Sequence, residues 1–119
     1  MRSNKMLSTD EHFEIVLNAM ADPTRRELLN LIAERGQATA TILSSTVTVS
    51  RQAVVKHLNV LNKAGLVAGD RIGREMRYSV CPSQLSDTAE WMANLAANWD
   101  NKLHWVKRVA EAKDNKKNL

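Results

Sequence analysis

Residues 50–66 read Ser-Arg-Gln-Ala-Val-Val-Lys-His-Leu-Asn-Val-Leu-Asn-Lys-Ala-Gly-Leu. Ser50 is a residue type that caps helix N-termini and Gly65 is one that ends helices, so the stretch predicts a helix between them. Its apolar residues recur at i, i+4 and i+7 and predict a buried face: Val54, Leu58 and Leu61. We therefore expect one side of this helix to complete a core and the other side to face outward.

The outward side of the predicted helix is polar and carries no acidic residue. Its members are Gln52, Lys56, Asn59 and Lys63, with Val55 beside them. Amides can form paired hydrogen bonds to adenine edges, lysine can meet guanine or phosphate, and a valine can touch a thymine methyl group. Ser50 and the first-turn N–H groups can hold a phosphate. For an isolated helix an ordinary solvated face is the simpler interpretation, so the flanking sequence decides.

The flanking segments predict a mainly α fold with a small β-hairpin. Apolar spacing predicts a first helix over about 9–20, and Asp22-Pro23 predicts the start of a second helix that Gly36 ends. Thr39 is a plausible cap for a short third helix. β-prone runs at 66–72 and 76–80 flank Gly73-Arg74-Glu75 and indicate a hairpin, and a long helical pattern follows over about 84–112.

The hairpin is basic, and the positive charge of the chain is concentrated around it. Residues 50–80 hold six basic and two acidic residues, so their net charge of +4 equals that of the whole 119-residue chain. Arg74 next to Gly73 suits a phosphate or a narrow minor groove. Arg71 and Arg77 could instead pair with Asp70 and Glu75 across the strands, so both interpretations of these two arginines stay open.

Three stretches resemble the arsenic-repressor (ArsR/SmtB) family of winged helix-turn-helix regulators: 17–29, 50–67 and 73–78. The resemblance implies a homodimer that represses transcription from a palindromic operator in double-stranded DNA until some signal relieves it. It also places Ser50, Arg51, Gln52, Lys56 and His57 in the DNA-contacting stretch. His57 lies nearer the core on the helical wheel, so packing and a phosphate contact remain open for it. The predicted DNA-binding residues are Ser50, Arg51, Gln52, Val55, Lys56, His57, Asn59, Arg71, Arg74 and Arg77.

The last helix carries an apolar heptad that predicts a dimer interface. Leu85, Met92, Trp99 and Val106 repeat every seven residues, and Ala89, Ala96, Leu103 and Ala110 fill the alternate position. Part of this stripe can pack on the chain's own first helix, and the rest is too broad for so small a core. The predicted interface residues are Phe13, Val16, Leu85, Met92, Trp99, Leu103 and Val106. A two-fold axis would set two recognition helices about 34 Å apart.

The sequence predicts no metal site and no cofactor, and it leaves the effector unidentified. Thiolate sensors of the family need cysteines in the third helix, and that helix has none; Asp100 and His104 share a face without a further histidine or glutamate at suitable spacing. The lone Cys81 suits a small buried residue better than a thiol switch, although a regulatory role stays open. The three tryptophans leave an apolar ligand site between subunits as a less favoured alternative.

Length predicts a single domain over 1–119, and the charged or weakly ordered ends predict flexible tails at 1–7 and 113–119. The resemblance implies that this is a winged helix-turn-helix domain with a DNA-binding core at about 22–81. No apolar run suits a signal peptide or a membrane span, and one cysteine fits a reducing compartment, so we expect a prokaryotic cytoplasmic protein without membrane contact. No nucleophile–base pair or phosphate-binding glycine loop suggests an enzyme. The alternatives are a metal- or small-ligand-responsive regulator with a site between the terminal helices of the dimer, and a winged-helix module for protein contacts.

Overall fold

A computed structural model describes residues 9–117 as five helices and three strands. The elements in chain order are α1 (Thr9–Met20), α2 (Pro23–Arg35), β1 (Ala38–Thr39), α3 (Ala40–Ser44), α4 (Arg51–Lys63), β2 (Val67–Ile72), β3 (Glu75–Val80) and α5 (Ser83–Lys117). The predicted tail at 1–7 lies outside the described residues. The other predicted tail, from 113, is helical as far as Lys117, so α5 is longer than the sequence pattern indicates.

Three helix starts are fixed by the side chains that the sequence predicts as caps. The Asp22 carboxylate accepts hydrogen bonds from the N–H groups of Thr24 (2.8 Å) and Arg25 (3.1 Å). Thr39 Oγ1 accepts from the N–H of Ile42 at 3.1 Å, and Ser50 Oγ accepts from that of Ala53 at 3.1 Å. Each cap satisfies N–H groups that have no partner inside their helix. The helix-turn-helix pair α3–α4 therefore begins at defined residues.

The small sheet has one strand more than the predicted hairpin. β1 pairs antiparallel with β3, which pairs with β2, in the order β1-β3-β2. The extra strand is only two residues long and immediately precedes its own helix cap, so it leaves no alternating pattern to detect. The turn between β2 and β3 has Gly73 at φ +66°, a backbone conformation that favours glycine. β1 anchors the base of the hairpin to the helical core.

The hydrophobic core lies between helices α1, α2, α3 and α4 and the base of the hairpin. Leu28, Ile32, Leu43, Val54, Leu58, Leu61 and Leu66 are among its fully buried side chains. The described chain separates into two compact units, one ending at Thr88 and one beginning at Ala89. The sequence predicts one domain, and α5 is the element that both units share. No helix within residues 9–117 combines the length and the apolar character needed to cross a membrane.

Candidate nucleic-acid interface

Helix α4 presents the two faces that its sequence predicts. Val54, Leu58 and Leu61 are fully buried, whereas Gln52, Lys56 and Asn59 are exposed. Val55 is half-buried and packs against the core, so only part of its side chain is free for a thymine methyl group. The exposed face therefore offers amides and an amine on a helix whose orientation is fixed by burial on its other side.

Ser50 and Arg51 form the start of this helix, and each makes a contact within the fold. Ser50 Oγ caps the helix, and its O–H can still donate to an anion. Arg51 is exposed, and its Nε donates to Oγ1 of Thr41 on α3 at 3.2 Å. This bond leaves the Nη groups of Arg51 available. Sequence reasoning missed Thr41 because the contact spans the turn between two helices, where no periodicity relates the two residues.

His57 is half-buried and contacts Arg25, which favours the packing interpretation of this residue. Its Nδ1 lies 3.4 Å from Nη1 of Arg25. The same guanidinium donates to the backbone carbonyls of Ala19 (2.7 Å) and Asn18 (2.9 Å). Arg25 thereby connects the C-terminal end of α1 to α4. The phosphate contact predicted for His57 stays a prediction.

Asp22 completes the same cluster. Its carboxylate lies 3.9 Å from Nη1 of Arg25. The hydrogen bond from the backbone N–H of Arg25 is the main reason that the pKa of Asp22 lies below its ordinary value. Burial opposes this effect, and the backbone N–H of Thr24 and the nearby charges of His57 and Arg25 lower the pKa further. The ionised carboxylate therefore stabilises the start of α2, where a negative charge also favours the helix dipole.

The hairpin separates its three arginines by strand alternation. Arg71 lies opposite Met76, and Gly69 lies opposite Tyr78, so these four share one face of the ribbon. Tyr78 is buried, which identifies this as the face toward the helical core. Arg77 lies opposite Asp70 on the reverse face. Arg74 occupies the turn.

None of the hairpin arginines forms an ion pair with another described residue. The ion pair found within 4.0 Å among the described residues is Asp22–Arg25, at the start of α2. The cross-strand pairing of Arg71 and Arg77 that the sequence left open is therefore not formed. Their charges are available to an external anion, but the two point to opposite sides of the ribbon. The sequence made Arg71 and Arg77 equal candidates for a DNA contact, whereas the strand register places only Arg71 on the face toward the helices.

A cleft of about 330 Å³ lies between the helix-turn-helix and the hairpin. Thr41, Arg51 and Val55 line it from the helices, and Arg71, Arg74, Met76 and Tyr78 are among the hairpin residues that line it. Three guanidinium groups, one from α4 and two from the hairpin, thus border one concave surface. Such an arrangement attracts a polyanion that can follow the surface from helix to hairpin.

Comparison with known proteins gives the same interpretation as this geometry. A family model described as a helix-turn-helix domain matches residues 20–70. The transcriptional repressor SdpR of Bacillus subtilis (strain 168) is 34% identical over 88 residues, which are 74% of this chain and 97% of SdpR. The solved structure of an ArsR-like transcriptional regulator from Rhodococcus sp. RHA1 is 36% identical, with a TM-score of 0.78 over 87% of this chain and 97% of that chain. The chain belongs to the ArsR family of transcriptional regulators.

The winged helix-turn-helix fold is also that of a more distant structure. The homodimeric winged helix-turn-helix DNA-binding domain of Mb0332 from Mycobacterium bovis is 21% identical, with a TM-score of 0.59 over 84% of this chain and 89% of that chain. The predicted fold class, family and function as a DNA-binding transcriptional regulator are confirmed, and the related proteins are regulators rather than enzymes. In this ArsR-family regulator the β2–β3 hairpin is the wing.

The residues predicted for the dimer interface differ in their exposure. Leu85, Met92, Trp99, Leu103 and Val106 are exposed, with exposed fractions of 42% to 66%. Val16 is 0% exposed, because it lies inside the core of its own chain. It has no surface to offer a second copy, and the prediction for Val16 is wrong. Phe13 is half-buried, and its ring meets that of His12 edge-on at 5.8 Å.

The two histidines outside α4, His12 and His104, both contact oxygen atoms of the protein. His12 Nε2 hydrogen-bonds Oε1 of Gln84, and His104 Nδ1 contacts the backbone carbonyl of Asp100 at 3.1 Å. Among residues 9–117 no three His, Cys, Asp or Glu side chains are grouped for a metal ion. Cys81 is a half-buried free thiol beside an apolar cavity of about 230 Å³ whose walls include Leu29, Leu66 and Leu85.

Proposed function

We propose that this regulator is a homodimeric repressor that reads a palindromic operator with α4 in the major groove. The observation that carries the proposal is the exposed, acid-free face of α4, supported from behind by a fully buried one. Gln52 and Asn59 supply the hydrogen-bonding pattern that distinguishes adenine, and Lys56 supplies a cation for guanine or phosphate. Val55 adds an apolar contact. Gln52, Asn59 and Val55 carry direct readout, and the other residues position the protein on the backbone.

Four residues position the protein on the DNA backbone. Ser50 and Arg51 lie at the N-terminal end of α4, and Arg71 and Arg74 lie in the wing. Arg77 stays in the proposal as a backbone contact made by the reverse face of the wing, toward the neighbouring groove. Because such contacts go to phosphates, they fix the register without selecting sequence. The Asp22–Arg25–His57 cluster, whose three residues are half-buried, joins α4 to the start of α2.

A palindromic operator has two half-sites, and each half-site binds one copy of the protein. The apolar heptad of α5 is exposed in a single chain, and a contiguous exposed apolar face of this kind favours a protein partner. A second α5 is the simplest partner, since a repeat of seven residues matches itself about a two-fold axis. Phe13, Leu85, Met92, Trp99, Leu103 and Val106 remain the proposed interface.

The signal that relieves repression is not a metal in this proposal. Helix α3 offers no thiolate, and the histidines near the proposed interface contact an amide oxygen and a backbone carbonyl. Operator binding should therefore be unaffected by Zn²⁺ or by a chelator. A release of operator DNA on addition of Zn²⁺ would contradict this part. Promoter DNA in a prokaryote is cytoplasmic, and the protein is proposed to act there.

The test is a footprint on the protein's own promoter followed by substitution of Gln52. Gln52→Ala should lose discrimination of about 1–3 kcal/mol at one base pair of each half-site and little at the others. Asn62→Ala is the matched control, because Asn62 is an exposed amide on the same helix but lies about 80° away around it. Equal weakening of Gln52→Ala on every duplex would refute base readout. Wild-type protein that prefers no duplex at moderate salt would overturn the whole proposal.

A further inference from the structure

The cleft between α3, the start of α4 and the wing has the chemistry of an anion site. We infer that it holds one phosphodiester of the DNA backbone, and that Thr41 is the positioning residue that aims Arg51 at it. The inference rests on the proposed function and adds to it a specific place where the backbone crosses the protein. It also adds Thr41, a residue outside the predicted DNA-binding set.

Thr41 fixes one edge of the Arg51 guanidinium. Arg51 Nε donates to Thr41 Oγ1 at 3.2 Å, and a guanidinium is planar and rigid. Holding Nε therefore limits the orientations of the group and of the four N–H bonds of its Nη groups. Those donors match the oxygen spacing of a phosphate. Thr41 itself is held in place because α3 begins at the Thr39 cap.

Arg51 loses side-chain freedom in this arrangement before any DNA arrives. Both partners are exposed, so their hydrogen bond contributes little to the stability of the fold. An orienting contact between exposed groups is useful when the oriented group has a ligand, because the ordering then does not oppose binding. This is the reason to assign Thr41 a role in binding rather than in folding.

The wing supplies the other side of the site. Arg71 is exposed and lies on the same face of the wing as the buried Tyr78. The backbone of Gly69 approaches the Tyr78 ring closely: a Cβ added at Gly69 would lie 3.1 Å from Cε1 of Tyr78. Arg71 and Arg74 pair with no described carboxylate. Both line the cleft, so two unpaired cations face Arg51 across it.

One acidic residue, Glu75, also lines the cleft. A carboxylate there opposes an anion by like-charge repulsion. The site therefore predicts effects of opposite sign: loss of Arg51 orientation weakens DNA binding, and neutralising Glu75 strengthens it. If no phosphate is bound in the cleft, the loss caused by disturbing Arg51 and the gain caused by neutralising Glu75 should not depend on the same phosphate of the DNA.

The experiment measures operator affinity for Thr41→Val, which keeps the branched shape and removes the acceptor, and for Thr41→Ser, which restores the hydroxyl. Thr41→Val should weaken binding about threefold to tenfold, the effect of one hydrogen bond, and Thr41→Ser should return it to within about twofold of wild type. Thr46→Val is the control, because the Thr46 hydroxyl donates to the Ile42 carbonyl and does not touch Arg51. Thermal unfolding of all three should match wild type.

The site on the DNA is located with operator duplexes in which single phosphates are replaced by neutral methylphosphonates. Wild type should lose affinity at several phosphates of each half-site. At the one phosphate held in the cleft, Thr41→Val and Arg51→Ala should lose less than wild type does, because part of that contact is already gone. Glu75→Gln should bind more tightly on unmodified DNA and gain less on the same modified duplex.

The failure of this inference is distinguishable from failure of the proposed function. If Gln52→Ala and Arg51→Ala behave as expected but Thr41→Val binds as wild type does, the Thr41 assignment is wrong while the repressor proposal stands. If Thr41→Val is additive with every methylphosphonate, no single phosphate occupies the cleft. If neither Gln52→Ala nor Arg51→Ala affects binding, the interface itself lies elsewhere.

Discussion

Helices α4 and α5 are both amphipathic, but a single chain completes the packing of only one of them. The apolar face of α4 is fully buried at Val54, Leu58 and Leu61. The corresponding face of α5 beyond Thr88 is open, with Trp99 58% and Leu103 66% exposed. Since burial of apolar surface is the main favourable term in folding and in association, α4 derives its position from the fold. The apolar face of α5 is exposed in the single chain, so only a partner that covers it can stabilise it.

The largest expected effect comes from placing a charge in the middle of the α5 heptad. Trp99→Glu should convert the dimer to monomers, because a carboxylate would be buried without a partner in the paired helices. Light scattering should then give half the wild-type mass. Asn101→Glu is the control, since it adds the same charge on the opposite side of the helix. If both variants remain dimers, the two copies meet on another surface.

The second test compares the same chemical change on the two helices. Leu58→Ala removes a fully buried side chain and should cost about 2–5 kcal/mol. Leu103→Ala removes an exposed one and should change the stability of the single chain by less than about 0.5 kcal/mol. Both are measured by denaturant unfolding in the Trp99→Glu background, so that association does not contribute. A large loss for Leu103→Ala there would mean that α5 already buries this face within its own chain.

The contrast also shows what the sequence could and could not predict. The caps, the faces of α4, the wing and its Gly73 turn follow from local rules and from helical or strand periodicity, so they were predictable. Val16 was assigned to the dimer interface because an apolar residue at helical spacing on α1 fits the core of its own chain and a dimer interface equally well. Only the packed fold shows that the core of the same chain covers it.

The candidate site was predicted in kind, but its internal contacts were not. Residue types identified Gln52, Lys56 and Arg74 as candidates for contacting DNA. The Arg25–His57 and Thr41–Arg51 contacts join side chains 32 and 10 positions apart, and no pattern along the chain relates them. The distinction between Arg71 and Arg77 needed the strand register, since a shift of one residue exchanges the two faces of a ribbon.

Lysines on the two helices give the third test, with a smaller expected effect. Lys56→Ala on α4 should weaken binding to all duplexes and reduce the slope of log K against log salt by about 1, because one phosphate contact and its counterion release are lost. Lys107 is equally exposed on α5, and Lys107→Ala should leave the slope unchanged. Equal slopes for the two variants would show that α4 has no privileged contact with the backbone.

The smallest effect concerns the cap of α2, which stabilises the half of the molecule that packs by itself. Hydrogen bonds from backbone N–H groups, that of Arg25 first, lower the pKa of Asp22 in the folded chain, so the charged form stabilises the fold above the unfolded pKa of about 3.9. That contribution is lost as the pH falls through the folded pKa. Asp22→Asn keeps a capping side chain without the charge.

Asp22→Asn should therefore be less stable than wild type at pH 7, and the difference should shrink as the pH is lowered below about 4. Asp22→Ser, a second neutral cap, should follow the asparagine variant across the whole range. Urea unfolding between pH 7 and pH 3 measures both differences. A gap that stays constant with pH would mean that the carboxylate acts at this position only as a hydrogen-bond acceptor. Its charge would then contribute nothing to holding α2, and through Arg25 α4, in place.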